Sequence, residues 1–401
     1  MSKQDKQDKQ SSKQNKQGKK GKKNNQPPPA PNAPDTQPVG IRQPTVMLTD
    51  LTGDLLWPRV LRAPALALAP SRLLIGATCA FLLSIVLTLA EQFSSETETT
   101  NSSIDQAGQQ VSMSIASIRT SIESMNPELL AQSILRSTIA IRNLVMESPL
   151  VALLVGLPMI AILAVAGGAI SRSTAIEFAK GRYAAREDTV GFALKRTAQL
   201  TGSIAGPIIG CVIVFLLIAV GGLLLSFPVF DVIGSIIYGL MLILGIGATI
   251  VLTLHMLALP MIIPALSIEG TDAFDAIQRS YAYVVAKPLR YLLYALLLTL
   301  VGTLGAGVFT LLVQSSVEMT DWAAQFFANN STTRVLTGED ELGATQGLAH
   351  QIVGVWKTLA GLCISGYVIS IFFASSSLLY LVARRICDGQ DVNEVWDGIG
   401  E

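Results

Sequence analysis

The chain has 401 residues, of which 50% are hydrophobic and 14% are charged, whereas soluble domains carry roughly a quarter charged residues. Long uncharged apolar runs alternate with short charged stretches, which excludes an ordinary soluble protein and predicts an all-α polytopic membrane helix bundle. Two histidines are too few for a multi-histidine metal site, and the four cysteines show no CxxC spacing. We therefore expect no metal and no cofactor.

Residues 1–45 are predicted to form a disordered cytoplasmic tail, because a Lys/Gln repeat is followed by a Pro-rich stretch. Nine lysines face three aspartates within residues 1–38. This charge is typical of a solvated tail that sets topology, or of a tether to anionic lipid or RNA. Specific nucleic acid recognition is not predicted. Residues 46–70 are predicted to be interfacial, since Trp57 and two arginines suit the headgroup layer.

Six apolar runs then follow, each near or above the roughly 20 residues that cross a bilayer. They predict six transmembrane helices at 71–90, 149–170, 205–227, 232–254, 291–313 and 352–383. Residues 386–401 are predicted to form an acidic C-terminal tail.

The fourth run continues to residue 268 and is too long for one straight crossing. Pro260 and Pro264 predict either a kinked extension or a re-entrant segment, because proline removes a helix hydrogen bond. His255 lies just before this piece and is the one titratable residue that a pocket there could use. A seventh crossing would invert the topology of everything that follows.

The charges of the loops predict the orientation, because cytoplasmic loops of membrane proteins are enriched in lysine and arginine. The loop 171–203 contains six basic residues, and the loop 269–290 contains three. Segment 91–148 has three basic residues against seven acids, and segment 314–351 has one against five. Six crossings with both termini in the cytoplasm satisfy all of these counts. The predicted location is the cytoplasmic membrane of a bacterium.

Segment 91–148 is predicted to form an amphipathic helical hairpin outside the membrane. Its first half has apolar residues at alternating four- and three-residue spacing, namely Val111, Ile115, Ile118, Ile122 and Met125. This stripe is typical of a docking surface for a partner or a second copy of the chain. Two heptads also fit a helix that covers the protein's own spans or lies on the bilayer surface.

Two of the cytoplasmic loops resemble each other. Residues 193–197 read ALKRT before the third span, and residues 276–280 read AIQRS before the fifth. This similarity predicts a parallel internal repeat of span, inner amphipathic helix and span. Arg196, Arg279, Lys287 and Arg290 are therefore candidates for contact with lipid headgroups, because arginine binds phosphate through two nitrogens. The alternative is a structural role, in which they cap helices or set topology.

The stretch PALSIEGTDAFDAIQRSYAYVVAKPLRYLLYALL at 264–297 resembles the inner loop of a broad group of uncharacterised bacterial multi-helix membrane proteins. That group is similar to the membrane domain fused to some glycerophosphodiester phosphodiesterases. The Arg-Ser pair at Arg279 and the Arg-Thr pair at Arg196 match its pattern of a basic inner helix before a span. The catalytic domain has no counterpart in this chain, so the resemblance implies a fold and a topology and not a reaction.

The residue types and motifs that are missing from the apolar runs limit the functions that the protein can have. None of the six contains Asp, Glu or Arg in its interior, which argues against a proton-coupled transporter. Catalytic and nucleotide-binding motifs are absent. Small residues such as Gly206 and Gly210 predict close helix packing. These features favour a non-enzymatic membrane component, meaning a scaffold, assembly factor or accessory subunit. The alternative is a permease for an apolar or lipid-like substrate, and a membrane-bound lipid-modifying enzyme is a weaker third hypothesis.

Overall fold

The computed structural model describes residues 57–94, 149–227, 230–326 and 343–392, together with Met113, Gln132, Val335, Leu336, Gly338, Glu394 and Val395. Its secondary structure in these residues is entirely helical. The elements are α1 (Trp57–Val60), α2 (Ala63–Ala67), α3 (Pro70–Ser94), α4 (Pro149–Lys180), α5 (Arg186–Lys195), α6 (Thr197–Leu224), α7 (Phe230–Glu269), α8 (Ala273–Ala286), α9 (Pro288–Gln325) and α10 (Ala344–Asp388).

Six of these helices are long and apolar enough to cross a membrane: α3, α4, α6, α7, α9 and α10. The all-α multi-pass architecture expected from the sequence is thereby confirmed. Several helices are longer than the apolar runs from which they were predicted. The helix α4 continues ten residues past 170, and α10 continues to Asp388. These extensions contain charged residues, such as Arg172 in α4 and Arg384 in α10.

The prolines of the fourth span do not interrupt it. One continuous helix, α7, runs from Phe230 to Glu269 and contains both Pro260 and Pro264. The re-entrant alternative is therefore not formed, and residues 255–268 extend the same helix toward the next loop. At 40 residues this helix is about 60 Å long at 1.5 Å per residue, twice the thickness of the hydrocarbon layer.

The core of the protein is a group of three helices, α4, α7 and α10, each of which packs against the other two. Residues 166–176 of α4 and 261–268 of α7 are buried throughout, and α10 is buried from 376 to 384. We call this end of the bundle the inner end, because the basic loops with α5 and α8 lie there. The other long helices pack around the core: α6 on α4 and α7, α3 on α4 and α10, and α9 on α10.

A left-handed glycine ends each of the three core helices at the inner end. Gly181, Gly270 and Gly389 have φ angles of 63°, 68° and 70°. Each donates its N–H to the carbonyl four residues earlier, at 2.9, 2.9 and 3.1 Å, which satisfies one of the unpaired carbonyls at a helix end. The first two glycines lead into the short inner helices α5 and α8, and these lead into α6 and α9. The order of long helix, glycine, short helix and long helix is thus repeated along the chain.

The similar residues of the two inner loops lie at different positions relative to the short helices α5 and α8. Arg196 follows the last residue of α5, whereas Arg279 lies in the middle of α8. Glu177 stands four residues before its glycine, and Glu269 directly precedes Gly270. The similarity therefore holds at the level of helices and not residue by residue.

The closest approach between helices differs from the one expected. Gly206 and Gly210 of α6 have open space where a side chain would project. The tight contact instead joins Gly76 of α3 to Gly366 of α10, where a Cβ atom on Gly76 would lie 2.2 Å from the Gly366 carbonyl oxygen. Glycine is needed at this crossing because the two backbones touch.

The segment before the first span is part of the packed core. Val60, Ala63 and Ala67 are fully buried, and α2 packs against α9 and α10. The Ser370 hydroxyl of α10 donates to the Ala67 carbonyl at 2.8 Å. This segment was expected to lie in the interface as an anchor, and the structure shows that it also fills space between core helices.

Candidate functional site

Glu269 is the centre of an ionic cluster at the inner end of the core. Its carboxylate accepts a hydrogen bond from Arg384 at 2.6 Å and another from the Tyr380 hydroxyl at 3.1 Å. Arg279 lies 3.7 Å from its second oxygen and also pairs with Asp275 at 3.1 Å. Because these residues come from α7, α8 and α10, one carboxylate joins three helices.

Arg384 is the most buried charged member of this cluster, with a side chain that is 3% exposed. Its other terminal nitrogen, Nη2, donates to the Asp391 carbonyl at 3.1 Å and to the Glu394 carbonyl. These bonds fold the chain after Gly389 back onto the core, where Val392 is buried. A buried charge that is paired and hydrogen-bonded in this way holds structure in place.

A second buried ion pair joins Arg72 of α3 to Glu177 of α4. The Arg72 side chain is fully buried and also donates to the Leu66 carbonyl at the end of α2. The pair therefore fixes the start of the first span against the core. Both glutamates of the inner end, Glu177 and Glu269, are paired with buried arginines.

Arg196 and Arg172 donate hydrogen bonds to backbone carbonyls at the end of α7. Arg196 donates to the carbonyls of Gly270 and Thr271, the latter at 2.9 Å. Arg172 donates to the Ser267 carbonyl at 3.2 Å, and its guanidinium lies 4.2 Å from the centre of the Phe192 ring. The last carbonyls of a helix have no partner within that helix, and these two arginines supply one. Of the two roles expected for Arg196, this is the structural one.

His255 is fully buried in α7. Its Nδ1 lies 2.9 Å from the hydroxyl of Tyr281 on α8, and the two rings meet edge to face. Burial raises the pKa of Tyr281 to about 12, and the nearby Cys211 thiol adds to the rise. The hydroxyl is therefore protonated at neutral pH, and the pair links α7 to α8.

The side chains between Pro260 and Pro264 are buried. Met261, Ile262 and Leu266 are fully buried between the core helices. His255 and Pro264 are likewise buried, and Pro260 is half-buried.

Lys287 and Arg290 form the one part of the predicted basic set that faces outward. Both are exposed, and they border a recess between α8, α9 and the end of α10. Tyr283, Tyr291 and Tyr294 line its walls. The Tyr283 hydroxyl donates to Asp388, and burial together with this hydrogen bond raises the pKa of Tyr283 well above its ordinary value.

The predicted docking stripe lies outside the described residues, as do the lysine-rich tail and most of the acidic C-terminal tail; this includes Val111, Ile115, Ile118, Ile122 and Met125. Within the residues that the structure covers, no three His, Cys, Asp or Glu side chains gather as a metal site would require.

Sequence reasoning missed the two buried ion pairs. Neither Arg384 nor Arg72 is among the candidate residues that the sequence singled out. The signal that could have found them is the position of Glu177 and Glu269, each within four residues of a loop glycine and preceded by a long apolar run. Carboxylates so close to a span need partners.

Comparison of the chain with protein-family models, with curated protein sequences and with solved structures finds no match.

Proposed function

We propose that the protein is a non-enzymatic integral membrane component, acting as a scaffold, assembly factor or accessory subunit. The observation that carries this proposal is the packing of residues 261–268, every one of which is buried between the core helices. A permease with its site at the proline segment needs space for a substrate beside that segment. Packed side chains at that segment favour a rigid support.

The arrangement of charges supports the same proposal. Glu269, Arg384, Arg72 and Glu177 are all occupied by one another or by backbone carbonyls. They lie at the ends of helices and tie them together. A transport pathway would instead expose ionisable groups to a water-filled route.

The partner surface proposed for this component is the apolar stripe of segment 91–148. Changing Ile115, Ile118 and Ile122 together to Asp is expected to abolish homo-oligomerisation or recovery of a bound partner, because three charges would lie in the contact. The readout is the oligomeric state of the purified protein by light scattering and co-purification from membranes. Unchanged association would contradict this part of the proposal and favour a helix that lies on the bilayer.

The main experiment measures whether the inner core opens. After the native cysteines are replaced, Ala258, Ala265 and Ala374 are changed singly to Cys, a small substitution at buried positions. A rigid support predicts no labelling by a membrane-impermeant maleimide from either side of the membrane. Ala282→Cys on the exposed face of α8 is the matched control and is expected to label.

Labelling of Ala265→Cys at a rate near that of the control would contradict the rigid support. That result would favour the alternative function, a permease for an apolar or lipid-like substrate, with α7 moving at its prolines. Loss of labelling at saturating concentrations of a candidate lipid would identify the substrate class.

We also propose that the membrane is the cytoplasmic membrane of a bacterium, with both termini inside. The basic loops 171–203 and 269–290 support this orientation. Ala185→Cys and Ala282→Cys are expected to label only from the cytoplasm, and Gln351→Cys only from outside. Labelling of both classes from one side would contradict the proposed topology.

A further inference from the structure

Two exposed tryptophans lie at the same level on α9 and α10. In α9 Trp322 follows Asp321, and in α10 Trp356 precedes Lys357. The Asp321 carboxylate and the Lys357 ammonium form an ion pair at 2.8 Å, which brings the two tryptophans to one level. Trp322 is 63% exposed and Trp356 is 68% exposed. An exposed aromatic patch of this kind indicates a contact with a membrane or with another protein.

Trp322 belongs to one continuous exposed face of α9. Exposed apolar residues recur along this face at helical spacing, namely Leu304, Val308, Leu311, Met319, Trp322 and Phe326. Ser315, which is also exposed, takes the place between Leu311 and Met319. Because α9 is one of the candidate membrane spans, the patch around Trp322 continues a face that suits contact with lipid.

The charges of α9 and α10 define two levels along this pair of helices. Between Arg290 and Glu318 α9 contains no charged residue, and between Lys357 and Arg384 α10 contains none. The two helices pack on each other, and the ion pair described above fixes their register. The uncharged stretches therefore begin and end together, as expected of two segments that cross the hydrocarbon layer side by side.

The length of α9 agrees with a crossing from one headgroup layer to the other. From Pro288, the first residue of α9, to Trp322 the helix rises about 50 Å at 1.5 Å per residue. A bilayer with its headgroup layers is about 40–45 Å thick, and a helix tilt of roughly 30° accounts for the difference. Lys287 and Arg290 are exposed at the start of α9, where cations suit the headgroup layer on that side.

We infer that Trp322 and Trp356 anchor the α9–α10 pair in the headgroup layer of the membrane on the side remote from α5 and α8. The indole ring contacts the upper part of the acyl chains, and its N–H donates to a lipid oxygen. Lipid is the partner because the patch continues the lipid-facing side of α9 and lies where the uncharged stretches end. This inference rests on the multi-pass architecture and does not depend on the proposed function.

The test measures the depth of each tryptophan by fluorescence quenching in vesicles of phosphatidylcholine and phosphatidylglycerol. The chain contains four tryptophans. The full-length variant Trp57→Phe/Trp356→Phe/Trp396→Phe retains Trp322 alone, and Trp57→Phe/Trp322→Phe/Trp396→Phe retains Trp356 alone. A lipid with a nitroxide on its headgroup is expected to quench each of them at least about twofold more strongly than a lipid with its nitroxide at the bilayer centre.

The matched control places a tryptophan deeper on the same exposed face. Val308→Trp, in a chain whose four native tryptophans are changed to Phe, lies about 20 Å from position 322 along α9. The expected result is the reverse preference, with stronger quenching by the nitroxide at the bilayer centre. Thermal unfolding in detergent shows that each variant is folded, and the two single-tryptophan variants test the anchor independently.

Three outcomes would overturn the anchor. Quenching of Trp322 and Trp356 by aqueous iodide but by neither lipid would place the patch in water, where a protein partner could reach it. Resistance to iodide and to both lipids would show that protein, such as a second copy of the chain, covers the patch. A depth of Trp322 equal to that of the Val308→Trp control would contradict the level assigned to it.

Discussion

Arg384 and Arg385 are adjacent in the chain and have opposite roles. The Arg384 side chain is 3% exposed and pairs with Glu269 at 2.6 Å, whereas Arg385 is 40% exposed and lies 3.6 Å from an exposed Asp391. Exposed ion pairs contribute little to stability because water screens them. Removing one member of a buried pair leaves a charge without compensation. The direction in which each side chain points from α10 therefore decides its importance.

Changing Arg384 to Ala is expected to lower the free energy of unfolding by about 3–5 kcal/mol, because Glu269 would lose its main partner in the core. Changing Arg385 to Ala is expected to cost less than about 0.5 kcal/mol. Thermal or denaturant unfolding of both variants in detergent measures the difference. Equal destabilisation would show that the ion pair with Glu269 is not a principal support of the core.

Removing both charges of the pair together tests the same contact in another way. The variant Glu269→Gln/Arg384→Met is expected to be more stable than Arg384→Ala alone, since no unpaired charge remains buried. The double variant is compared with the two single substitutions in a double-mutant cycle. Simple additivity would contradict direct coupling between these side chains.

At the scale of helices, glycine determines where the core helices end and where they touch. Gly181, Gly270 and Gly389 end α4, α7 and α10 in the left-handed conformation, which a side chain disfavours by roughly 1–2 kcal/mol. Gly366 has another role, because a Cβ atom there would lie 2.5 Å from the backbone nitrogen of Ala77 in α3. The two kinds of glycine are sensitive to substitution for different physical reasons.

Gly181→Ala is expected to destabilise the protein by about 1 kcal/mol through its positive φ alone, since nothing lies within 4 Å of the added atom. Gly191→Ala in α5 also meets open space and is expected to be neutral or stabilising by up to about 1 kcal/mol through helix propensity. The shift in the thermal midpoint gives the sign of each effect. A shift of the same sign in both variants would contradict the role assigned to Gly181.

Gly366→Ala is expected to separate α3 from α10 and to lower the unfolding free energy by about 1–3 kcal/mol, the usual range for overpacking. Gly361→Ala, on the same helix and with open space around it, is the control and should not destabilise. Cysteine crosslinking between α3 and α10 would report the separation directly. Normal stability of Gly366→Ala would mean that the crossing adapts without cost.

At the scale of the whole molecule, the three core helices hold together parts of the chain that are far apart in sequence. The helices α4, α7 and α10 each contact the other two, and the ion pairs Arg72–Glu177 and Glu269–Arg384 reinforce the same inner end. The helices α6 and α9 bury few of their apolar side chains, namely Leu200, Ala205 and Cys211 of α6 and Leu298 of α9, which suits contact with lipid. We therefore expect the three core helices to associate even when the chain is cut in a loop between two helices.

A chain divided between residues 228 and 229 is expected to reassemble when the two fragments are produced together, because α4 in one fragment packs against α7 and α10 in the other. Co-purification through a tag on one fragment measures this. Gly167→Leu should abolish it, since a Cβ atom there would lie 2.3 Å from the Phe373 ring. Gly156→Leu on the same helix meets nothing within 4 Å and should leave reassembly intact.

The amount that could be predicted from the sequence differs between the spans and the site. Six apolar runs of about 20 residues predict six crossings, because a helix must satisfy its own backbone in lipid and the length follows from bilayer thickness. The choice between a helical extension and a re-entrant segment at Pro260 and Pro264 could not be made from the sequence, since a proline in a membrane helix is tolerated when neighbouring helices compensate. The orientation inferred from loop charge stays a prediction.

The sequence was sufficient for the fold class because apolar length and charge are local properties that can be read one segment at a time. The partners of the charged residues are not local. Glu269 and Arg384 are 115 positions apart. The sequence around a lysine or arginine beside a span does not show whether its side chain points to the core or to lipid. Only the packing of α4, α7 and α10 distinguishes the structural arginines Arg196 and Arg384 from the exposed Lys287 and Arg290. That distinction depends on the direction in which each side chain leaves its helix, and tertiary contacts set that direction.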